Sequence, residues 1–137
     1  MMSRTIQVKK VRSPAPGNLE EDIDYICRSF GYFTLRDKQD SAGRIFRCLV
    51  RDGCGDKEGL SSDDLSKRLE LSRGAIIHHL NSFIKSGLVT KENNFYRLRS
   101  QSLQKSIEEI KIDIDRIFNQ MIKISKEIDE RLGHYYR

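Results

Sequence analysis

LSSDDLSKRLELSRGAIIHHLNSFIKSGLVTKENNFYRLR, residues 60–99, is the stretch whose reading decides the fold. Ser61 followed three residues later by Asp64 is a capping box: the hydroxyl accepts a backbone N–H and the carboxylate reaches back toward the cap. Leu65 and Leu69 then turn inward at helical spacing, and Leu71 sits in a tight turn before Ser72, which is placed to cap another helix. The second helix points Ile76, Leu80 and Phe83 or Ile84 to one side and ends at Gly87. Two short helices joined by about three residues make a helix-turn-helix. Directly after it, Leu88 to Lys91 and Phe95 to Arg99 flank Asn93 and Asn94, residues that tolerate the positive backbone angles of a two-residue turn. The pattern predicts a small β-hairpin with Tyr96 and Leu98 over the helices and Phe95, Arg97 and Arg99 on the other face.

Upstream, Ala42, Ile45, Phe46, Leu49 and Val50 recur at three and four, predicting a helix from about Ser41 to Arg51. A glycine-rich loop, Gly53 to Gly59, separates it from the helix-turn-helix. Earlier still, Asn18 precedes Leu19, Ile23, Ile26, Cys27 and Phe30, with Glu21 three residues after the cap and Gly31 as a stop, so a first helix is expected there. Residues 1–17 end in Ser13-Pro-Ala-Pro-Gly17, which cannot continue a helix and reads as a flexible basic arm. Ile6 and Val8 alternate with polar residues, which leaves a short strand open.

Downstream, Leu103, Ile107, Ile110, Ile114, Ile117, Met121, Ile124 and Ile128 are spaced alternately by four and three, an unbroken heptad seam. A helix from about Gln101 to Leu132 would be roughly 48 Å long, too long for so small a domain to bury. Its seam calls for another chain, and homodimerisation is the simplest source. Few charges flank the seam in pairable positions, so parallel or antiparallel pairing stays open. Ile112, Phe118 and Ile122 lie off the seam and suggest packing on something else, with the Leu19 to Phe30 helix as a candidate. The organisation expected is an arm (1–17), a helix and loop (18–35), a winged helix-turn-helix (36–100), a dimerisation helix (101–132) and a tail (133–137). The fold class is mainly α with a small β-hairpin.

Net charge is +5, unevenly spread. Residues 1–18 carry four bases and no acid, 19–40 sum to −3, and 60–100 hold seven bases against four acids. The surplus in the arm and the middle is what a polyanion-binding chain requires. An amphipathic helix entering a major groove buries one stripe and presents small, polar or basic groups on the other. With Ile76 and Leu80 inward, Arg73, Gly74, Ala75, Ile77 and His78 face outward. Arg73 suits a guanine edge or a phosphate, Gly74 and Ala75 permit close approach, and Ile77 suits a thymine methyl. Lys91 and Arg97 on the hairpin can reach phosphates or the minor groove, Ser61 and Ser72 can set helix amides against phosphates, and Lys9 and Lys10 extend the basic surface.

The string from Leu60 to Leu80, with Ser86-Gly-Leu-Val89 and Tyr96-Arg-Leu98, resembles the winged helix of ArsR- and MarR-type prokaryotic and archaeal transcription regulators. The resemblance implies sequence-specific binding of double-stranded DNA by a homodimer. It also implies a cytoplasmic, nucleoid-associated protein, with a small-molecule effector left open. Winged helices also serve as protein-docking or RNA-binding modules, and those are the alternatives.

Many regulators of this kind bind metal through cysteines or through histidine and acid pairs, but the stretch Ser61 to Leu71 has no cysteine. His78 and His79 are adjacent and diverge by about 100° on a helix, so no metal or other cofactor is expected. Cys27 and Cys48 read as reduced core filler, and Cys54 lies in the loop. No glycine-rich phosphate loop and no nucleophile beside a base is present, so no catalytic residue is assigned and an enzyme is not expected. No stretch approaches the roughly 20 apolar residues of a bilayer span, and Met1 to Val11 lacks the apolar block of a secretory signal, so no membrane partner is expected.

Overall fold

The computed structural model describes residues 6–32, 40–54 and 58–134. Arg4, the loop residues 33–39 and 55–57, and the last three residues of the tail lie outside the described residues. The order is α1 (Leu19–Ser29), α2 (Ser41–Asp52), β1 (Leu60–Ser61), α3 (Ser62–Leu69), α4 (Arg73–Ser86), β2 (Val89–Glu92), β3 (Phe95–Leu98) and α5 (Leu103–Leu132). This is a winged helix-turn-helix with a long terminal helix.

The start signals act as their chemistry dictates. Asn18 accepts from the Glu21 amide at 3.1 Å, Ser72 from the Ala75 amide at 3.2 Å, and Ser102 from the Lys105 amide at 3.1 Å. Ser61 and Asp64 form the reciprocal capping box. Each of these contacts satisfies an amide that the first helical turn cannot pair internally. The turn between α3 and α4 is fixed by Glu70 in the left-handed region and by the Ser66 hydroxyl, which donates to the Leu71 carbonyl at 2.6 Å. Arg44 of α2 donates to the Leu69 carbonyl and closes the end of α3.

The sheet has three antiparallel strands in the order β1-β3-β2, so the hairpin gains a third strand that the sequence reading did not anticipate. Two residues are too short to show an alternating pattern; Leu60 pairs with Tyr96 and Ser61 with Phe95. Entry to β1 depends on Gly59, whose φ is +110° and whose missing Cβ would lie 2.5 Å from the Tyr96 carbonyl oxygen. The turn between β2 and β3 takes a positive φ at Asn93 alone and not at Asn94. Tyr96 and Leu98 are buried while Phe95 and Arg97 remain half-exposed, the alternation a half-buried strand requires.

The core joins α2, α4 and the sheet through Phe46, Leu49, Ile76, Leu80, Phe83 and Leu98, all fully buried. Tyr32 enters it between Phe46 and Phe83, 4.5 Å from the latter ring, and its hydroxyl pairs with that of Ser86. Burial pushes the Tyr32 phenol and the Cys27 thiol well above their ordinary ranges. Cys48 is half-buried against the same core, so both thiols fill space as expected.

Two of the acids of α1, Glu20 and Asp24, are paired with arginines of α2. Arg47 of α2 holds Asp24 at 2.7 Å, Asp40 at 2.9 Å and Glu20 at 3.0 Å, and Arg51 also pairs with Glu20. Burial would lower the Arg47 pKa, but Asp24 and Asp40 outweigh it and hold the guanidinium charged. Residues 6–15 form no strand: the Lys9 amide donates to the Ser29 carbonyl at 2.7 Å, which fastens this segment to the end of a helix rather than to a strand edge.

The terminal helix corrects one expectation. Leu103, Ile107, Ile110 and Ile114 of the seam pack on the winged helix of the same chain, with Ile110 buried outright. Among the described residues, the later part of the seam, Ile117, Met121, Ile124 and Ile128, stays 42–54% exposed. Ile112, Phe118 and Ile122 do not pack on α1 as suggested but stand 51–61% exposed. The reasons are facing and reach: Ile112 lies on the outer side of the covered turns, and Phe118 and Ile122 lie beyond them on a 30-residue helix that extends about 45 Å.

Candidate nucleic-acid interface

The amino-terminal turn of α4 is the most open part of the helix-turn-helix. Ile76, Leu80 and Phe83 fix its inner stripe at no exposure, which leaves Arg73, Gly74 and His78 on the outside and Ala75 half-covered. A Cβ added at Gly74 would meet nothing within 4 Å, so a flat ligand can approach the backbone there. Ile77, expected on the outer face, is half-buried against the core, because it falls in the angle between α4 and the wing, beside Lys91, Asn94 and Tyr96. Its free edge still borders the surface.

That angle is a crevice of about 310 Å³ between the starts of α3 and α4 and the wing. Arg73 and Ile77 line it from α4, Ser61, Ser62 and Asp63 from the start of α3, and Lys91, Asn94 and Tyr96 from the wing. The Lys91 ammonium sits 5.5 Å from the Tyr96 ring centre, a cation–π contact that holds the charge at the mouth. Arg73 pairs with Asp63, so its guanidinium is tethered at the helix start while remaining largely exposed. Ser61 and Ser72 are engaged as helix caps. Arg97 is half-exposed on the outer face of β3, and it borders a neighbouring hollow with Glu92 and Phe95.

The structure therefore brings together Arg73, Ile77, Lys91 and Ser61 around one crevice, with Gly74, Ala75 and His78 on the adjoining helix face. Lys9 and Lys10 are exposed but lie on the segment fastened to α1. Sequence reading missed Asp63, Asn94 and Tyr96 as parts of the site. Asp63 precedes Arg73 by ten residues, and their meeting depends on the angle of the turn at Glu70, which no residue pattern states.

Residues 56–91 match the family model of the bacterial regulatory protein, arsR family, about a quarter of the chain. That part of the winged helix is similar to the ArsR family. The matched segment covers β1, α3, α4 and most of β2, and so contains the outer face of α4 and the crevice lining apart from Asn94 and Tyr96. The likeness is to a family of bacterial regulatory proteins. No curated protein and no solved structure matches the chain.

The donor set does not fit a thiolate metal site of the kind some ArsR-type regulators use. α3 carries no cysteine, Cys27 is fully buried with its thiol held protonated by burial, and the Cys54 thiol donates to the Val50 carbonyl at 3.3 Å. Among the described residues no three metal-capable side chains converge, and no helix is long and apolar enough to cross a membrane.

Proposed function

We propose that this winged helix binds double-stranded DNA sequence-specifically as a homodimer and regulates transcription. α4 enters the major groove by its first turn, and the wing rests on the backbone or the adjacent minor groove. The observation that carries the reading is the joint geometry of Arg73 and Lys91. Two cations flank one crevice at the open end of an otherwise well-packed helix, and the bare backbone of Gly74 lies beside them. A groove-reading helix needs small residues for approach and a tethered arginine for the base or phosphate.

In this arrangement Arg73 supplies the directional contact, His78 extends it one turn along α4, and the methyl groups of Ile77 border the thymine edge. Lys91 and Arg97 neutralise phosphates on either side of the wing, and Lys9 and Lys10 add a non-specific electrostatic contribution from the arm. The partner contact lies on the uncovered part of α5, from Ile117 to Ile128. A palindromic operator with half-sites about 34 Å apart, or a multiple of that, follows from two-fold symmetry.

Selection of binding sites from random duplex DNA, followed by salt titration of the selected site, tests the reading. The expected result is one enriched motif that outcompetes bulk DNA at moderate salt, with affinity falling steeply as salt rises. Failure to enrich any motif would point instead to a docking module. Deleting residues 1–17 should weaken binding and make the salt slope shallower.

A further inference from the structure

The segment before α1 bows over one face of that helix. The Lys9 amide donates to the Ser29 carbonyl at 2.7 Å, and Gly17, with φ at +83°, turns the chain into the cap at Asn18. The chain between Lys9 and Asn18 could stretch to roughly 30 Å, whereas α1 from Leu19 to Ser29 is only about 15 Å long. The surplus lifts the segment off the helix as an arch. Pro14 and Pro16 hold it extended, since each fixes its own φ and has no N–H to give to a helix or a ladder. Under the arch lies a cavity of about 390 Å³, which shares no lining residue with the crevice beside α4.

The floor is built by helical spacing. Glu21, Asp24, Tyr25 and Arg28 recur at three and four, on the face of α1 turned away from its buried Ile23 and Cys27. Glu21 and Arg28 stand about 10 Å apart along the axis, with Tyr25 between them. Arg12 adds a second cation from the arch, three residues from the fastening at Ser29 and so on the Arg28 side. Asp24 is already met by Arg47 of α2 at 2.7 Å, so its charge is mostly spent there. The cavity has a cationic end, an aromatic middle and an anionic end.

We infer that this cavity binds a nucleoside monophosphate whose base carries an exocyclic amine. The phosphate lies with Arg12 and Arg28, the base rests on Tyr25, and the amine donates to the Glu21 carboxylate. Guanidinium groups match phosphate oxygens in forked pairs, and an aromatic side chain offers a stacking surface to a base. A free amino acid, whose ammonium and carboxylate share one carbon, cannot meet both ends, and an inorganic anion meets only one. The volume falls in the range of about 300–1,000 Å³ usual for small-molecule sites. The assignment rests on neither the DNA reading nor the homodimer.

The test is calorimetric titration of the full chain with adenosine monophosphate, inosine monophosphate and inorganic phosphate. The expected result is saturable binding of adenosine monophosphate, with the other two each about tenfold weaker or more. Inosine monophosphate turns a carbonyl oxygen toward Glu21, and equal affinity for it would overturn the amine contact. Arg12→Ala, on the exposed arch, should weaken adenosine monophosphate about tenfold or more and leave the urea midpoint unchanged. Tyr25→Leu should weaken it about fivefold or more. Full affinity in Arg12→Ala, or no binding by the unsubstituted chain, overturns the inference. Inorganic phosphate bound as tightly as the nucleotide overturns it too. Arg73→Ala should keep the nucleotide affinity; a loss there would put the nucleotide in the crevice beside α4 and overturn the site while leaving the DNA reading standing.

Discussion

Arg99, at the end of the wing, donates to the Asp113 carboxylate on α5 at 2.6 Å, with Glu109 one turn away at 3.2 Å. The bond to Asp113 is the chief reason the guanidinium is held charged, against a smaller opposing effect of burial. Because Arg99 follows β3 directly, the pair ties the reading domain to the terminal helix.

Arg99→Ala should therefore destabilise the fold by about 1–3 kcal/mol, since it removes a mostly buried guanidinium that both Asp113 and Glu109 engage. Arg68→Ala, which removes an exposed pair with Asp52, should cost under about 1 kcal/mol. Urea unfolding of the two variants checks the difference. Equal losses would mean the Arg99 bridge is no stronger than a surface pair.

At the recognition surface, Arg73→Ala should weaken binding to the selected operator by about 1–3 kcal/mol and relax preference at one base pair. Asp63→Asn should keep the fold but let the arginine wander, lowering specificity more than affinity. Fluorescence anisotropy on the operator and on scrambled DNA separates the two quantities. Full affinity and specificity in Arg73→Ala would move the reading surface elsewhere on α4.

For the self-association contact, Ile124→Asp is the informative change, because Ile124 is exposed among the described residues. It should give folded monomers by light scattering and circular dichroism, with much weaker operator binding. Ile110→Asp, by contrast, puts a charge in the core and should unfold the domain.

Alkaline stability should fall for a specific reason. Burial raises the Cys27 thiol above its ordinary 9.0 and the Tyr32 phenol above its ordinary 10.0, so the folded chain keeps protons that the unfolded chain releases. The stability this contributes is complete below about pH 9 and is lost as pH rises through and beyond the ordinary values. Urea midpoints should be flat near pH 7–8 and decline between about pH 9 and 11. Cys27→Ala should make the decline shallower.

Much of the fold was legible because its signals are local. Asn18, Ser61, Ser72 and Gly87 each act on amides or carbonyls within a few residues, so a capping pattern in the chain is a capping bond in the molecule. The hairpin was equally readable from alternation around Asn93. What lay beyond reach required geometry between distant segments. β1 is two residues long and exists only because β3 passes beside it. Ile77 is half-buried because it shares a crevice with the wing, and the seam of α5 gives no sign of where its own domain stops covering it. Of the candidate site, Arg73 and Lys91 were visible as bases at the right places, whereas the Asp63 tether depends on the turn at Glu70.

One consequence of α5 concerns measurement of length. Its first turns pack on the winged helix and its later turns are exposed among the described residues, so whatever is held on the far end stands off from the winged helix by a count of residues between Ile114 and Ile124. Seven residues inserted there preserve the facing of the stripe and lengthen that separation by about 10 Å. The helix is then a ruler, whose length can be retuned without altering any atom of the crevice beside α4.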